Sequence, residues 1–258
     1  MRFFLFFCII FTIILGGCSK MNPKKNTLPD FDILWNYQNP KETEEKFMGL
    51  LPQAEESGNI SYQAQLLTQI ARTQGLQRDF EKAHKTLDKA DSLITDDHKL
   101  AKIRYLLERG RVYNSSVNPG KAKTLFLEAW EFGVNNKLDL YAIDAAHMMG
   151  IVEPPEKQLD WSLKALDLTE KTEDKRAKGW LGPLYNNIGW TYHDLKEYEK
   201  ALELFRKGLK WREEINDENG TRIAKWSVAR TYRSLNKIDE ALEIQLALLN
   251  EYEEKQIE

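Results

Sequence analysis

The residues best suited to acid–base, nucleophilic or metal chemistry in this sequence are four histidines, His84, His98, His147 and His193, and two cysteines, Cys8 and Cys18. Their spacing supports none of these chemistries. No histidine belongs to the HExxH pair that places two zinc ligands on one helical face. Neither GxxxxGK[ST] nor GxSxG occurs, so a phosphate-cradling loop and a nucleophile elbow both lack their residues. His193 and Asp194 are adjacent, but consecutive helix residues diverge by about 100° and do not face each other. Ser115 and Ser116, beside Asn114, end a helical stretch with no partner for acyl transfer. Glu153-Pro154-Pro155-Glu156 reads as a turn. No residue is nominated for catalysis, and no enzyme activity, metal or cofactor is expected.

Binding residues are better represented, and they recur. Arg72, Arg111, His147, Trp190 and Arg230 follow one another at intervals of 39, 36, 43 and 40 residues. Each stands directly after a small residue: Ala71, Gly110, Ala146, Gly189 and Ala229. These small residues belong to a longer repeat. Gly110, Tyr113, Ala122, Phe126 and Ala129 return at identical spacing as Gly189, Tyr192, Ala201, Phe205 and Gly208. Weaker copies are Ala71, Ala83, Leu87 and Ala90, and Ala229, Tyr232, Ala241 and Leu248. A middle copy keeps Ala146, Met149 and Ala165 but carries Gln158 and Ser162 where the central alanine and aromatic would stand.

Such a pattern requires two antiparallel helices per unit. Small residues at Gly110 and Ala122, or Gly189 and Ala201, let the helix axes approach closely, and Tyr113 and Phe126, or Tyr192 and Phe205, fill the space beside the crossing. Asn118-Pro119-Gly120 and Asp194–Glu197 supply turns. The arrangement resembles the tetratricopeptide repeat (TPR), in the long-helix variety typical of peptide-binding superhelices, across about residues 41–256. It implies an all-α, right-handed TPR-like solenoid of antiparallel helix pairs, with units at about 64–97, 103–136, 139–172, 182–215 and 222–255. Glu42–Glu56 is amphipathic and follows Asn39-Pro40, a sound helix start. It reads as a half-repeat cap over 41–57, which repeat arrays need because each unit buries its face only against neighbours.

The resemblance also implies where a ligand would sit. In these superhelices the first helix of each pair lines the concave face, and the residue after the small crossing residue points into it. Arg72, Arg111, His147, Trp190 and Arg230 hold that place, joined by Asn186, Asn187, His193, Trp226 and Arg233 three or four residues away. In peptide-binding members an Asn two residues before the small Gly bridges a peptide backbone, and Asn187 before Gly189 matches. The other units carry Gln69, Glu108, Asp144 and Ser227 there, so that role extends to Asn187 alone. Trp190 and Trp226 offer rigid apolar area. Arg230 and Arg233 can fork onto a carboxylate. An internal polar network is the alternative use of the same residues, with Trp226 stacking on Arg230 and Asp144 pairing with His147.

The first residues address the chain to a membrane. Arg2 precedes Phe3–Leu15, thirteen uncharged residues. A membrane span needs about 20 apolar residues, so this length suits a secretory signal. Leu15-Gly16-Gly17-Cys18 resembles the lipobox of bacterial lipoproteins. It implies a signal peptide over 1–17, cleavage before Cys18 and attachment of lipid such as palmitate to Cys18. Removal of Cys8 leaves one cysteine, which excludes an intramolecular disulfide and a cysteine-based zinc site. Residues 18–40 read as a tether, in which Lys20, Lys24 and Lys25 could touch anionic lipid. Ser19 at the next position favours, by analogy, a lipid-anchored place on the periplasmic face of the outer membrane in a bacterial cell envelope.

The whole-chain arithmetic agrees. Lys and Arg total 37 against 40 Asp and Glu, a net charge of −3, which gives no dense basic surface for nucleic acid. Fourteen Gly and eight Pro are few for an all-β fold. Along Ile238–Tyr252 the apolar residues, among them Leu242, Leu246 and Leu249, spread over about 200° of helical arc. That surplus makes the last helix a candidate surface for a homodimer or a partner. The expected function is a non-enzymatic adaptor at the cell envelope that captures an extended peptide segment of a partner protein. The alternative is a regulatory or accessory subunit of an envelope enzyme such as a cell-wall hydrolase or synthase.

Overall fold

The computed structural model describes residues 27–255, and over them the chain is all-α, without a strand. The signal and lipobox residues, Cys8, Cys18 and the lysines at 20, 24 and 25 lie outside the described residues. After a 3₁₀ turn at Phe31–Leu34, helix α1 spans Pro40–Glu56. Five antiparallel pairs follow: α2 (Ile60–Leu76) with α3 (Phe80–Leu93), α4 (Lys99–Ser115) with α5 (Pro119–Asn135), and α6 (Asp139–Val152) with α7 (Pro155–Lys171). A single turn, α8 (Lys175–Lys178), precedes α9 (Leu181–Asp194) with α10 (Tyr198–Glu214), and α11 (Glu218–Ser234) with α12 (Ile238–Lys255). The pairs stack into a right-handed TPR-like solenoid, capped at its start by α1 against α2.

Local chemistry explains the boundaries. Asn39, Asn59, Asp79, Asn118 and Asp217 each accept a backbone N–H from the first turn of the helix they precede. Four first helices end alike. Arg78, Val117, Lys196 and Asn236 adopt positive φ, and the next N–H returns to the carbonyl five residues back, at Gln74, Tyr113, Tyr192 and Tyr232. The third pair differs: α6 stops at Glu153 in extended backbone before Pro154-Pro155 opens α7. This is the turn expected there.

At the crossings Phe126 and Phe205 lie buried against Gly110 and Gly189. A methyl group on either glycine would approach the ring to 2.4 or 2.6 Å. Ala122, Ala129 and Ala201 are wholly buried in the same seams. The longest interval, 43 residues, accommodates α8, which packs on α6 and α7 and marks a break between the third and fourth pairs.

Residues 27–39, assigned from sequence to the tether, are packed rather than free. Phe31 is buried against Phe47 and Tyr62, and the Tyr62 hydroxyl donates to the Pro29 carbonyl at 2.9 Å. No helix among the described residues is long and apolar enough to cross a membrane.

Candidate functional site

The inner faces of α2, α4 and α6 carry a ladder of ion pairs. Arg72 Nη1 donates to both Glu108 carboxylate oxygens, at 3.1 and 3.0 Å. Arg111 donates to Glu108 at 2.7 Å and to Asp144 Oδ1 at 2.6 Å. Burial alone would push the Arg111 guanidinium towards deprotonation, but Asp144 and Glu108 raise its pKa instead and hold it charged. Asp144 therefore pairs with Arg111 and not with His147. Burial lowers the His147 pKa against the raising effect of nearby Asp144, and its ring packs 5.1 Å from that of Trp180.

Arg104 completes this half. It forks onto Asp32, with Nη1 to Oδ1 at 2.9 Å, and its Nε donates to the Tyr141 hydroxyl at 3.1 Å. These groups border a cavity of about 470 Å³ together with Trp35, Tyr37 and Arg176. Sequence reasoning passed over Arg104, although it precedes Arg111 by two helical turns and so shares its face. No periodic signal marked Asp32 or Trp35.

Past α8 the inner face is differently made. Trp190 and Trp226 bring their rings to 5.7 Å between centroids, tilted by 43°. Trp226 is 50% exposed and does not stack on Arg230. Its far side borders a cavity of about 300 Å³ shared with Ile223, Leu248 and Tyr252. Trp190 rests on Phe205, 5.0 Å away. His193 is turned into the seam between α9 and α11, where its Nε2 lies 2.9 Å from the Ser234 hydroxyl; burial and then the Arg230 charge lower its pKa. Asn187 is exposed, its Oδ1 accepting from Asn186 Nδ2 at 3.2 Å, while Asn186 itself is half-buried beside Phe205 and Ala224. Arg230 is half-buried and Arg233 exposed, and neither forms an ion pair among the described residues.

The sequence-selected residues thus fall into two groups. Arg72, Arg111 and His147 lie together in the first half, where both arginines are held by carboxylates. Asn187, Trp190, Trp226, Arg230 and Arg233 lie on the steps formed by α9 and α11, with two cations unmatched. That arrangement can bind an acidic or carboxylate-ended apolar segment, and it brings no acid–base pair to a common point. No cluster of metal-ligating side chains occurs among the described residues.

Comparison with known proteins places the fold. Residues 180–253 match the family described as "Tetratricopeptide repeat". No curated protein sequence matches the chain. Among solved structures, BtubC (BKLC) from P. vanneervenii aligns with a TM-score of 0.64 at 11% identity, covering 89% of this chain and 94% of that one. The apo form of RapI aligns at 0.66 with 15% identity over 88% of this chain and 65% of RapI. Aspartyl phosphate phosphatase F from Bacillus subtilis aligns at 0.56 with 16% identity, over 81% of this chain and 56% of that protein. At these identities the likeness concerns architecture alone. The chain is an all-α, TPR-like solenoid that carries its family match over the last two helix pairs, α9–α12.

Proposed function

We propose that this protein is a non-enzymatic interaction module, held at the bacterial cell envelope by lipid on Cys18, that captures an extended peptide segment of a partner on the inner face of α9 and α11. One observation carries the reading. Arg230 and Arg233 lack carboxylate partners beside the half-exposed Trp226, whereas Arg72, Arg104 and Arg111 are all paired within the chain. Asn187 would hold partner backbone, Trp190 and Trp226 would pack side chains, and the two arginines would meet an acidic residue or a chain terminus. Arg72 and Arg111, committed to Glu108 and Asp144, leave the contacting set. TPR folds serve widely as protein-binding scaffolds, which supports the class of function and not the partner.

Crosslinking capture from membranes tests the proposal. Asn187→Ala with Trp190→Ala should abolish capture of the protein crosslinked by the wild type, while helicity and melting stay unchanged. Retained capture would move the interface elsewhere. Metabolic labelling with a palmitate analogue tests the anchor, since Cys18→Ser should remove both the label and the membrane association.

A further inference from the structure

Residues 29–37 lie across the inner face of the first pairs as a bound peptide would. Asp32 forks onto Arg104, whose side chain is 8% exposed and whose only other hydrogen-bond partner among the described residues is the neutral Tyr141 hydroxyl. Trp35 Nε1 donates to Gln69 Oε1 at 3.1 Å. The Trp35 and Tyr37 rings stack, 4.6 Å apart and 6° from parallel, and together cover the Arg72 guanidinium, 5.8 and 5.6 Å from their centroids. The contacts fall on the positions that matter in the repeat. Gln69 and Arg72 stand two before and one after Ala71, as Asn187 and Trp190 stand around Gly189.

We propose that the inner face of α2 and α4 is a peptide-docking site in its own right, filled in cis by residues 29–37 and open in trans to a segment that makes the same 3₁₀ turn, with an acid and, three residues on, a tryptophan. The proposal is independent of the reading given to α9 and α11. The charges define the occupant. With the strap away, Glu108 and Asp144 remain matched by Arg72 and Arg111, but Arg104 loses its carboxylate, so an incoming segment must supply one. Gln69 Oε1 then needs an N–H donor, which Trp supplies and Phe does not. The strap holds on through a few points only: Phe31 is buried, Leu34 and Trp35 pack on the same cluster with Trp35 5.3 Å from Phe47, and the Asn36 backbone exchanges hydrogen bonds with Thr43, while Ile33 is 77% exposed and Tyr37 58% exposed. A site filled in cis binds an outside copy more weakly by the fraction of time it is open.

The test uses the full chain and a fluorescein-labelled peptide of residues 28–39 (LPDFDILWNYQN), followed by anisotropy. Asp32→Asn with Trp35→Ala should raise the affinity for the peptide by about tenfold or more over the wild type. Adding Arg104→Gln should cancel that gain. A double variant that stays helical and binds the peptide no better than the wild type would make the strap a fixed cap and overturn the proposal. If the double variant loses helicity, Asp32→Asn alone decides, because Phe31 and Trp35 keep their places. A smaller rise in affinity is then expected, and no rise, or loss of the fold here too, overturns the proposal.

Discussion

The indole rings of Trp190 in α9 and Trp226 in α11 meet at 5.7 Å across the step between two repeats, and the outer one stays half exposed. A half-exposed Trp contributes little to folding but a great deal to an interface that encloses it. Trp226→Ala should therefore leave the melting temperature nearly unchanged. It should weaken partner capture by about 2 kcal/mol or more, the usual scale of a binding hot spot and roughly thirtyfold in affinity. Isothermal titration with the captured partner reads the affinity, and calorimetry reads the stability.

Gly189 and Gly110 offer a test in which two effects have opposite signs. On an open helix surface Gly→Ala stabilises by about 1 kcal/mol. Here the new methyl would stand 2.6 Å from Phe205 or 2.4 Å from Phe126, both buried rings without room to move. Overpacking of this kind costs about 1–3 kcal/mol. Gly189→Ala and Gly110→Ala should each lower stability in urea titrations. A gain in either would mean that the helices cross less closely than described.

The pairs were legible in the sequence because their crossing depends on residue size at fixed spacing, and Gly110 with Phe126 or Gly189 with Phe205 reports size directly. Turn α8 was not, since four residues inside an interval only lengthen it. Whether an inner-face cation is free was also hidden. Arg111 and Arg230 hold the same place in their units, yet Arg111 finds Asp144 on the first helix of the next pair, whereas Arg230 lies in the last described pair and has no such helix beside it. That difference is set by place in the stack and not by the unit's own sequence. The strap was invisible for a further reason: Asp32 and Arg104 are 72 residues apart, and no periodicity links them.

Val117 is the β-branched exception among the residues that close the first helix of each pair. Its φ is +62°, and its side chain is 88% exposed, so no packing compensates for the left-handed backbone. The left-handed conformation costs an L-residue roughly 1–2 kcal/mol, and glycine escapes that cost while gaining entropy when unfolded. Val117→Gly should therefore stabilise the chain by about 1 kcal/mol, seen as a higher urea midpoint with the same slope. Asn at this position should give a smaller gain.

On α12, Leu242, Leu246 and Leu249 are each about half exposed, and Asp239, Glu243 and Glu254 run along one edge of that stripe. Two copies joined antiparallel through this face would set acidic edge against acidic edge. Self-association should accordingly be weak at low salt and rise as the Debye length falls from about 30 Å at 0.01 M to about 8 Å at 0.15 M. Leu246→Lys with Leu249→Lys should leave a monomer at every salt concentration. Light scattering across that range would refute the role of this face if the wild type showed the opposite trend.

Three histidines set the response to acid. Burial lowers the pKa of His84, His147 and His193; the charges of Arg109 and Arg230 lower His84 and His193 further, while at His147 Asp144 opposes the shift more than Arg111 adds to it. In the unfolded chain each titrates near 6.5, so as pH falls through that value the unfolded state takes up protons first. Stability must then decline from about pH 7 down through the depressed native pKa values and level off below them. His84 shows the structural reason: Arg109 Nη1 lies 2.9 Å from its Nδ1 and donates to it, a contact that a protonated ring cannot accept. His84→Asn keeps an acceptor without the titration and should flatten the slope between pH 7 and 5. Glu44, which Lys82, Gln74 and Gln77 hold below the usual carboxylate range against the opposing effect of burial, loses its contribution only at lower pH, as it is protonated. Thermal melts every half pH unit would separate the two windows, and a wild-type chain whose stability is flat from pH 7 to 5 would contradict the native-state burial of these rings.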